Sequence, residues 1–230
     1  MNPKVPVITI DGASGTGKGV VTHIIAKKLG WNLLDSGVLY RVLALTAQRH
    51  GVFIEDEAGL VLLAEQLDVQ FITTETGEPP LILLENQEVT DTIRTEKIGN
   101  AASKAGALPA VRTALLSRQR AFRTPPGLVT DGRDMGTVIF PDAIVKIFLT
   151  ASPEERASRR YNQLNAKGIH VNLSALVDEL RERDKRDQER SVAPLKPAVD
   201  AILIDTDPLT IKQVVARIMI EIEKKGITIE

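Results

Sequence analysis

The stretch Val5-Pro-Val-Ile-Thr-Ile-Asp-Gly-Ala-Ser-Gly-Thr-Gly-Lys-Gly19 decides the fold. Its first half, Val5 to Ile10, is a short apolar run rich in β-branched residues, which reads as a buried strand. Its second half interrupts that run with glycines and a lysine. Gly12-Ala13-Ser14-Gly15-Thr16-Gly17-Lys18 fits the G-x4-G-K spacing in which successive backbone N–H groups curl around phosphate oxygens and the lysine reaches the outer phosphates. The spacing has that meaning only between a strand and a helix, and a helix follows: Val20, Val21, Ile24, Ile25 and Leu29 recur at helical intervals, with Lys27 and Lys28 in the last turn and Gly30 as the stop. The general motif has Ser or Thr after the lysine to ligate Mg2+. This chain has Gly19 and then Val20, so neither position offers a hydroxyl.

Outward from this unit, further apolar runs recur at Trp31–Leu34, Gly127–Thr130, Ile144–Leu149 and Ala201–Ile204, separated by helix-length periodic segments. The alternation predicts an α/β protein with a five-stranded parallel sheet flanked by helices. Two stretches break the rhythm. From about Val38 to Asn100, an amphipathic helix (Leu39, Val42, Leu43, Thr46, closing near Gly51) precedes Leu67–Ile72, Leu81–Leu84 and Gln87–Val89, which alternate as a small antiparallel β-meander around Thr74–Pro80. From Ser152 to about Arg190 the composition turns arginine-rich, interleaved with Glu and Asp, which reads as a second subdomain. The expected organisation is one domain over 1–230: a core of 1–37, 101–151 and 191–230, a subdomain of 38–100 and a second of 152–190.

A chain of 230 residues with 43% hydrophobic content can bury a sizeable core, which excludes a disordered chain. The balance of 29 Lys+Arg against 30 Asp+Glu leaves a net charge of −1, so no basic field exists to hold a nucleic-acid polymer or an anionic membrane. There is no apolar run of membrane-spanning length and no signal-peptide pattern, so a cytoplasmic protein is expected. The absence of cysteine removes disulfides, thiolate metal sites and thiol catalysis, and His23, His50 and His170 are too scattered for a metal cage. Carboxylates, hydroxyls, Lys, Arg and backbone amides remain to carry the chemistry.

Among these, Asp35 and Asp131 each end a buried strand run, which places them at the carboxyl edge of the sheet, where open α/β folds bind ligands. Both could hold Mg2+ through water, although Asp35 beside Ser36 equally suits an N-cap. Arginines bind two phosphate oxygens at once through a planar fork, which lysine cannot do. In the run from Arg181 to Arg190 the interleaved acids supply intrahelical partners, so Arg186, and likewise Arg156, reads as a solvated helix face.

The Gly-Lys-Gly ending of the loop resembles nucleoside-monophosphate kinases, in which Thr commonly follows. Leu34-Asp-Ser-Gly-Val-Leu-Tyr-Arg41, Asn100-Ala-Ala-Ser103, Asp131-Gly-Arg-Asp-Met-Gly136 and Arg181-Glu-Arg-Asp-Lys-Arg-Asp187 with Arg190 resemble bacterial cytidylate kinases, in that family's order and over nearly the whole chain. The hexapeptide 131–136 is far more specific than the phosphate loop. The resemblance implies transfer of the γ-phosphate of ATP to CMP or dCMP, with Mg2+ present and the 12–20 loop on ATP. It implies that the inserted meander belongs to the monophosphate-binding subdomain. Arg41, Arg133 and Arg190 would hold the acceptor phosphate, residues 152–190 would form a short helical lid, and Arg159 and Arg183 would close over the developing charge from it. Ser103, Arg112 and Asp134 would read cytosine, with Ser36 nearby and Asp187 on the sugar hydroxyl.

Lys18 and Arg133 are thus expected to serve anion contacts, so that losing either spares the fold. The expected partners are small nucleotides only, with no nucleic-acid polymer, no membrane and a monomeric state. Two other readings remain: a kinase of the same loop class acting on another acceptor, and a GTPase-type switch. The switch lacks an Asn-Lys-x-Asp guanine-reading segment and would have no use for an arginine-rich lid.

Overall fold

The computed structural model describes residues 4–72 and 80–227. In chain order the strands are β1 (Val7–Gly12), β2 (Asn32–Asp35), β3 (Val69–Ile72), β4 (Leu81–Leu84), β5 (Gln87–Glu88), β6 (Leu128–Gly132), β7 (Val145–Thr150) and β8 (Ile202–Asp205). The helices are α1 (Lys18–Leu29), α2 (Ser36–Arg49), α3 (Glu57–Glu65), α4 (Glu96–Ala105), α5 (Pro109–Ala121), α6 (Pro153–Ala166), α7 (Leu173–Glu189) and α8 (Ile211–Glu223). They form two compact units, Met1–Leu34 with Phe122–Glu230, and Asp35–Ala121. Compactness thus divides the chain near 34/35 and 121/122, whereas the functional division read from the sequence lies at 37/38 and 100/101. No helix among the described residues is long and apolar enough to cross a membrane.

The first unit carries a five-stranded sheet in the order β2-β6-β1-β7-β8. The registers of β1 on β6, β1 on β7 and β7 on β8 are all parallel. The chain leaves β1 through α1 to one side of the sheet, and later crosses from β6 over β1 to β7 on the other. The carboxyl end of β1 is therefore a switch point, where α/β sheets open a crevice for ligands. Val7, Ile8 and Ile10 are fully buried, as expected of a central parallel strand covered on both faces. α1 and α8 pack on each other and on this sheet, closing a core of Ile8, Ile10, Val21, Ile25, Ile147, Leu149, Val214 and Ile218. Just before β6, a Cβ on Gly127 would collide with the indole of Trp31, so the glycine lets that ring lie against the backbone.

Each of the five strands runs one or two residues beyond its apolar stretch and ends on Gly12, Asp35, Gly132, Thr150 or Asp205. Ladder pairing uses the backbone alone, so it continues past the last apolar side chain: Asp11 lies opposite Gly132 and Ile10 opposite Asp131. Asp11, Asp35 and Asp131 are thus strand residues.

α6 and α7 pack together over a small cluster of Ala157, Leu164, Leu176 and Leu180. α6 starts on Ser152, whose hydroxyl accepts the Glu155 amide at 3.2 Å, with Pro153 in the first turn; α7 starts on Asn172, which accepts from Ser174 and Ala175.

The second unit is organised around α2, ten of whose residues are buried. Leu43, Leu60, Leu84, Ile93, Val111 and Leu115 belong to the same core. Its antiparallel sheet β3-β4-β5 is the predicted meander. β4 and β5 turn through Glu85 and Asn86, both at positive φ, as the tight I′ hairpin demands. Most of the predicted turn at Thr74–Pro80 lies outside the described residues. α3 has no counterpart in the sequence reading, because Leu60-Val-Leu-Leu63 is apolar on every side and shows no period.

Candidate active site

The phosphate loop is built mainly from its own backbone. Gly17 caps α1 in the left-handed region, at φ 88°, and offers no side chain to the helix start, while the first turn carries no acidic residue. The opening N–H groups of α1 are therefore left for a ligand, at the end where the helix dipole favours an anion. A Cβ on Gly12 would strike the carbonyl oxygen of Leu149 on β7, so only glycine passes there. Lys18 folds back over the loop, its Nζ donating to the Ala13 carbonyl at 2.8 Å, and Thr16 Oγ1 donates to the same oxygen at 3.0 Å. Gly19 meets no atom within 4 Å of its would-be Cβ, and Val20 is 54% exposed. Neither position is held by packing, and neither carries a hydroxyl.

Beside this loop, the end of β6 passes into Asp131-Gly-Arg-Asp-Met-Gly136, and Met135–Ile139 forms a short π-helical turn. Asp131 and Asp134 are both buried, each 3% exposed. The turn is fixed by a residue the sequence reading did not single out. Asp11, near the end of β1, accepts the Met135 amide at 2.9 Å on Oδ1 and the Gly136 amide at 2.8 Å on Oδ2. Burial pushes the Asp11 carboxyl up to about 6; the two amides and the Lys18 ammonium pull it down, and the Asp134 charge adds to the rise. Its signal in the sequence was the one that picked out Asp35 and Asp131: a carboxylate directly after a buried apolar run.

Four of the expected substrate-binding side chains form one charged cluster in the first unit. Arg133 Nε donates to Asp187 Oδ2 at 2.7 Å, and Arg190 Nη2 lies 3.5 Å from Asp134 Oδ1. Arg190 Nε also donates to the Ala193 carbonyl. Burial would raise the Asp187 carboxyl, yet the Arg133 guanidinium, with help from Arg183 and Arg190, holds it below its ordinary value. Reciprocally, burial would lower Arg133, and the facing Asp187 raises it instead. Arg183 stands one turn before Asp187 on α7.

The remaining lid arginines divide differently from the sequence expectation. Arg156 is not a solvated helix-face residue. It is 2% exposed and donates to the Ser14 carbonyl of the loop at 2.9 Å, to the Ala151 carbonyl at 3.2 Å and to the Asp184 carboxylate through both Nη atoms. Counting acids on its own helix could not reveal this, since Asp184 lies 28 positions away on α7. Arg186 does pair along its helix, with Glu182 at 3.0 Å. Arg159 is docked on the loop after β8, donating to Thr206 Oγ1 at 3.1 Å and to the Thr206 carbonyl at 2.7 Å, while Glu155 accepts at 2.9 Å.

In the second unit, Asp35 occupies the N-cap position of α2 but makes no side-chain cap bond, and Ser36 beside it is buried. Arg41 donates to the Ile93 carbonyl at 2.6 Å, which sets its guanidinium over Gly99. Ser103 and Arg112 are both 7% exposed. Arg112 donates to the Gly106 carbonyl at 3.2 Å and lies 5.7 Å from the ring centre of Tyr40, a cation–π contact that spacing alone did not suggest. Among the described residues no cluster of three or more His, Asp or Glu side chains could hold a metal ion.

Comparison with known proteins bears on this arrangement. The sequence profile described as "Cytidylate kinase" matches residues 8–224. A cytidylate kinase from Pseudomonas fluorescens (strain SBW25) is 61% identical over 227 residues, which cover 99% of this chain and 99% of that protein. One from Pseudomonas paraeruginosa (strain DSM 24068 / PA7) is 60% identical over 226 residues, covering 98% and 99%. The match thus runs through the loop, the 131–136 turn and the arginine-rich helices alike, and the chain belongs to the cytidylate kinase family.

Proposed function

We propose that this protein transfers the γ-phosphate of ATP to CMP or dCMP, giving ADP and CDP or dCDP. The observation that carries the reading is the pairing, within one unit, of an uncapped helix N-terminus bearing Lys18 with a buried arginine–carboxylate cluster on the 131–136 turn and α7. The first suits a polyphosphate, and the second suits a nucleoside monophosphate. An oxygen of the acceptor phosphate attacks the γ-phosphorus in line, and the bond to the β-bridging oxygen of ATP breaks. The acceptor is nucleophilic enough without a covalent enzyme intermediate, so catalysis consists of positioning, charge neutralisation and exclusion of water.

Residues 12–20 bind the ATP phosphates, and Lys18 leaves the Ala13 carbonyl to follow the transferring group. Arg133, Arg190 and Arg41 hold the acceptor phosphate, which would join Asp187 as an anionic partner of Arg133. Arg159 and Arg183 come from the lid at 152–190 to the charge that develops on transfer. Asp134, Arg112 and Ser103 read cytosine, with Ser36 nearby, and Asp187 accepts from a sugar hydroxyl. Residues 38–100 serve as the monophosphate-binding subdomain.

The donor set also suits Mg2+: hard carboxylate oxygens at Asp35 and Asp131, no hydroxyl at position 19 or 20, and, among the described residues, no cluster dense enough for an all-protein cage. Mg2+ keeps several of its waters, so these two carboxylates would hold it through water while ATP oxygens supply the rest. When bound it would neutralise charge on the β- and γ-phosphates. The near-zero net charge offers no basic field to a nucleic-acid polymer or an anionic membrane, which leaves small nucleotides as the partners; the protein would act as a cytoplasmic monomer.

A panel of CMP, dCMP, UMP, AMP and GMP, each mixed with ATP and Mg2+ and followed by ADP release, tests the assignment. CMP and dCMP should be preferred, and equal efficiency with AMP or GMP overturns it. Asp134→Ala should weaken CMP by about 1–3 kcal/mol, the penalty for stranding buried polar groups.

A further inference from the structure

We propose that Asp11 is a positioning residue for the acceptor nucleotide: it caps the π-helical turn at Met135 and so spares the Asp134 carboxylate for the base. The inference rests on the base-reading role of Asp134 given above. A helix start exposes amides that its N-cap side chain ordinarily satisfies, and Asp is among the preferred caps. Asp134 stands at that position and makes no side-chain cap bond; its Oδ1 lies toward Arg190 instead. The amides of Met135 and Gly136 are taken by Asp11, one on each oxygen, across 124 and 125 residues of sequence.

Only a short carboxylate meets this demand. Asn could accept one amide and would turn its own NH2 toward the other, and Ser or Thr has a single oxygen. Glu has no room, since Asp11 is 4% exposed. With Asp11 gone, two buried amides lack an acceptor, and Asp134 is the carboxylate placed to turn back and cap them. It would then leave both Arg190 and the base.

The test compares Asp11→Ala, Asp11→Asn, Asp134→Ala and the Asp11→Ala/Asp134→Ala double variant. It reads KM for CMP and UMP, ATP affinity without acceptor by calorimetry, and thermal melts. Asp11→Ala should raise KM for CMP at least tenfold, erode the preference for CMP over UMP and leave ATP affinity within twofold. Asp11→Asn, which keeps one acceptor and the side-chain volume, should fall between it and the parent. The double variant should bind CMP no worse than Asp134→Ala alone. An unchanged KM for CMP in Asp11→Ala, an equal loss toward ATP, or additive losses in the double variant overturns the proposal. If Asp134→Ala abolishes the CMP preference and Asp11→Ala leaves it intact, the capping role alone fails. If Asp134→Ala leaves the preference untouched, the base-reading role fails first.

Discussion

The phosphate loop and the 131–136 turn end neighbouring strands of one sheet, yet they are held in opposite ways. In the loop, the shape comes from glycine backbone, and Lys18 and Thr16 bond to the Ala13 carbonyl within five residues. Distant side chains donate to its carbonyls, Arg156 to Ser14 and Thr206 to Thr16 at 3.4 Å. Its N-cap, Gly17, offers no side chain to the N–H groups at the start of α1. The turn is held by charges from elsewhere: Asp11 from β1, Asp187 from α7 and Arg190 just beyond it. A site made of backbone donors is thus specified by local spacing and loses little stability when a side chain goes. A site made of buried charge pairs ties binding to stability.

The largest expected effect separates the two directly. Lys18→Ala should lower kcat by roughly 10²–10³-fold, the scale of losing one preorganised donor to developing charge, with the melting temperature hardly moved. Near-normal turnover would break the comparison on the loop side. Arg133→Ala should also abolish efficient transfer, but it leaves Asp187 buried without its nearest cation. The sequence-based expectation of an unchanged melt therefore gives way to a loss of about 3 kcal/mol in stability, read by denaturant titration. A melt as robust as that of Lys18→Ala would show that Arg183 and Arg190 compensate fully.

Asp11 sharpens the contrast through pH. Its native carboxyl titrates at about 6, above the ordinary 3.8. Between those values the native state binds a proton that the unfolded chain does not, so this residue's contribution to stability rises as pH falls from 6 toward 4 and is lost on the way back. Relative to Asp11→Asn, which does not titrate, the parent should gain on the order of 2 kcal/mol across that window. A constant difference between the two would mean that the amides outweigh burial. The smallest effect concerns the loop again. Val20→Thr restores a hydroxyl at an exposed position and should change turnover by less than tenfold, about 1.4 kcal/mol of barrier. A larger gain would mean that the hydroxyl joins the metal shell.

What could be read in the sequence follows the same division. The sheet was legible because its strands are apolar runs, and the loop because its chemistry lies in consecutive residues. Asp35 and Asp131 were legible as ends of buried strand runs, whereas the continuation of β1 through Asp11 escaped, since pairing goes on after the apolar signal stops. Arg156 was misplaced because its partner is on another helix, and charge counting along one helix sees only neighbours at three and four. The Arg112–Tyr40 contact escaped for a related reason: it joins residues on different helices, α5 and α2. Asp11 was legible in kind, a carboxylate after a buried run, but its acceptors are amides, which every residue carries and no sequence advertises.

The seating of Trp31 against Gly127 makes the protein its own spectroscopic probe. It is the single tryptophan of the chain, and it lies in the first unit, against the backbone that leads into β6. Its emission therefore reports the integrity of the five-stranded sheet, and residues 35–121 contain no tryptophan to add a second signal. Far-ultraviolet circular dichroism registers the helices of both units. Coincident transitions by the two signals would make unfolding a single cooperative event, and an earlier dichroism change would show the second unit melting away from an intact sheet.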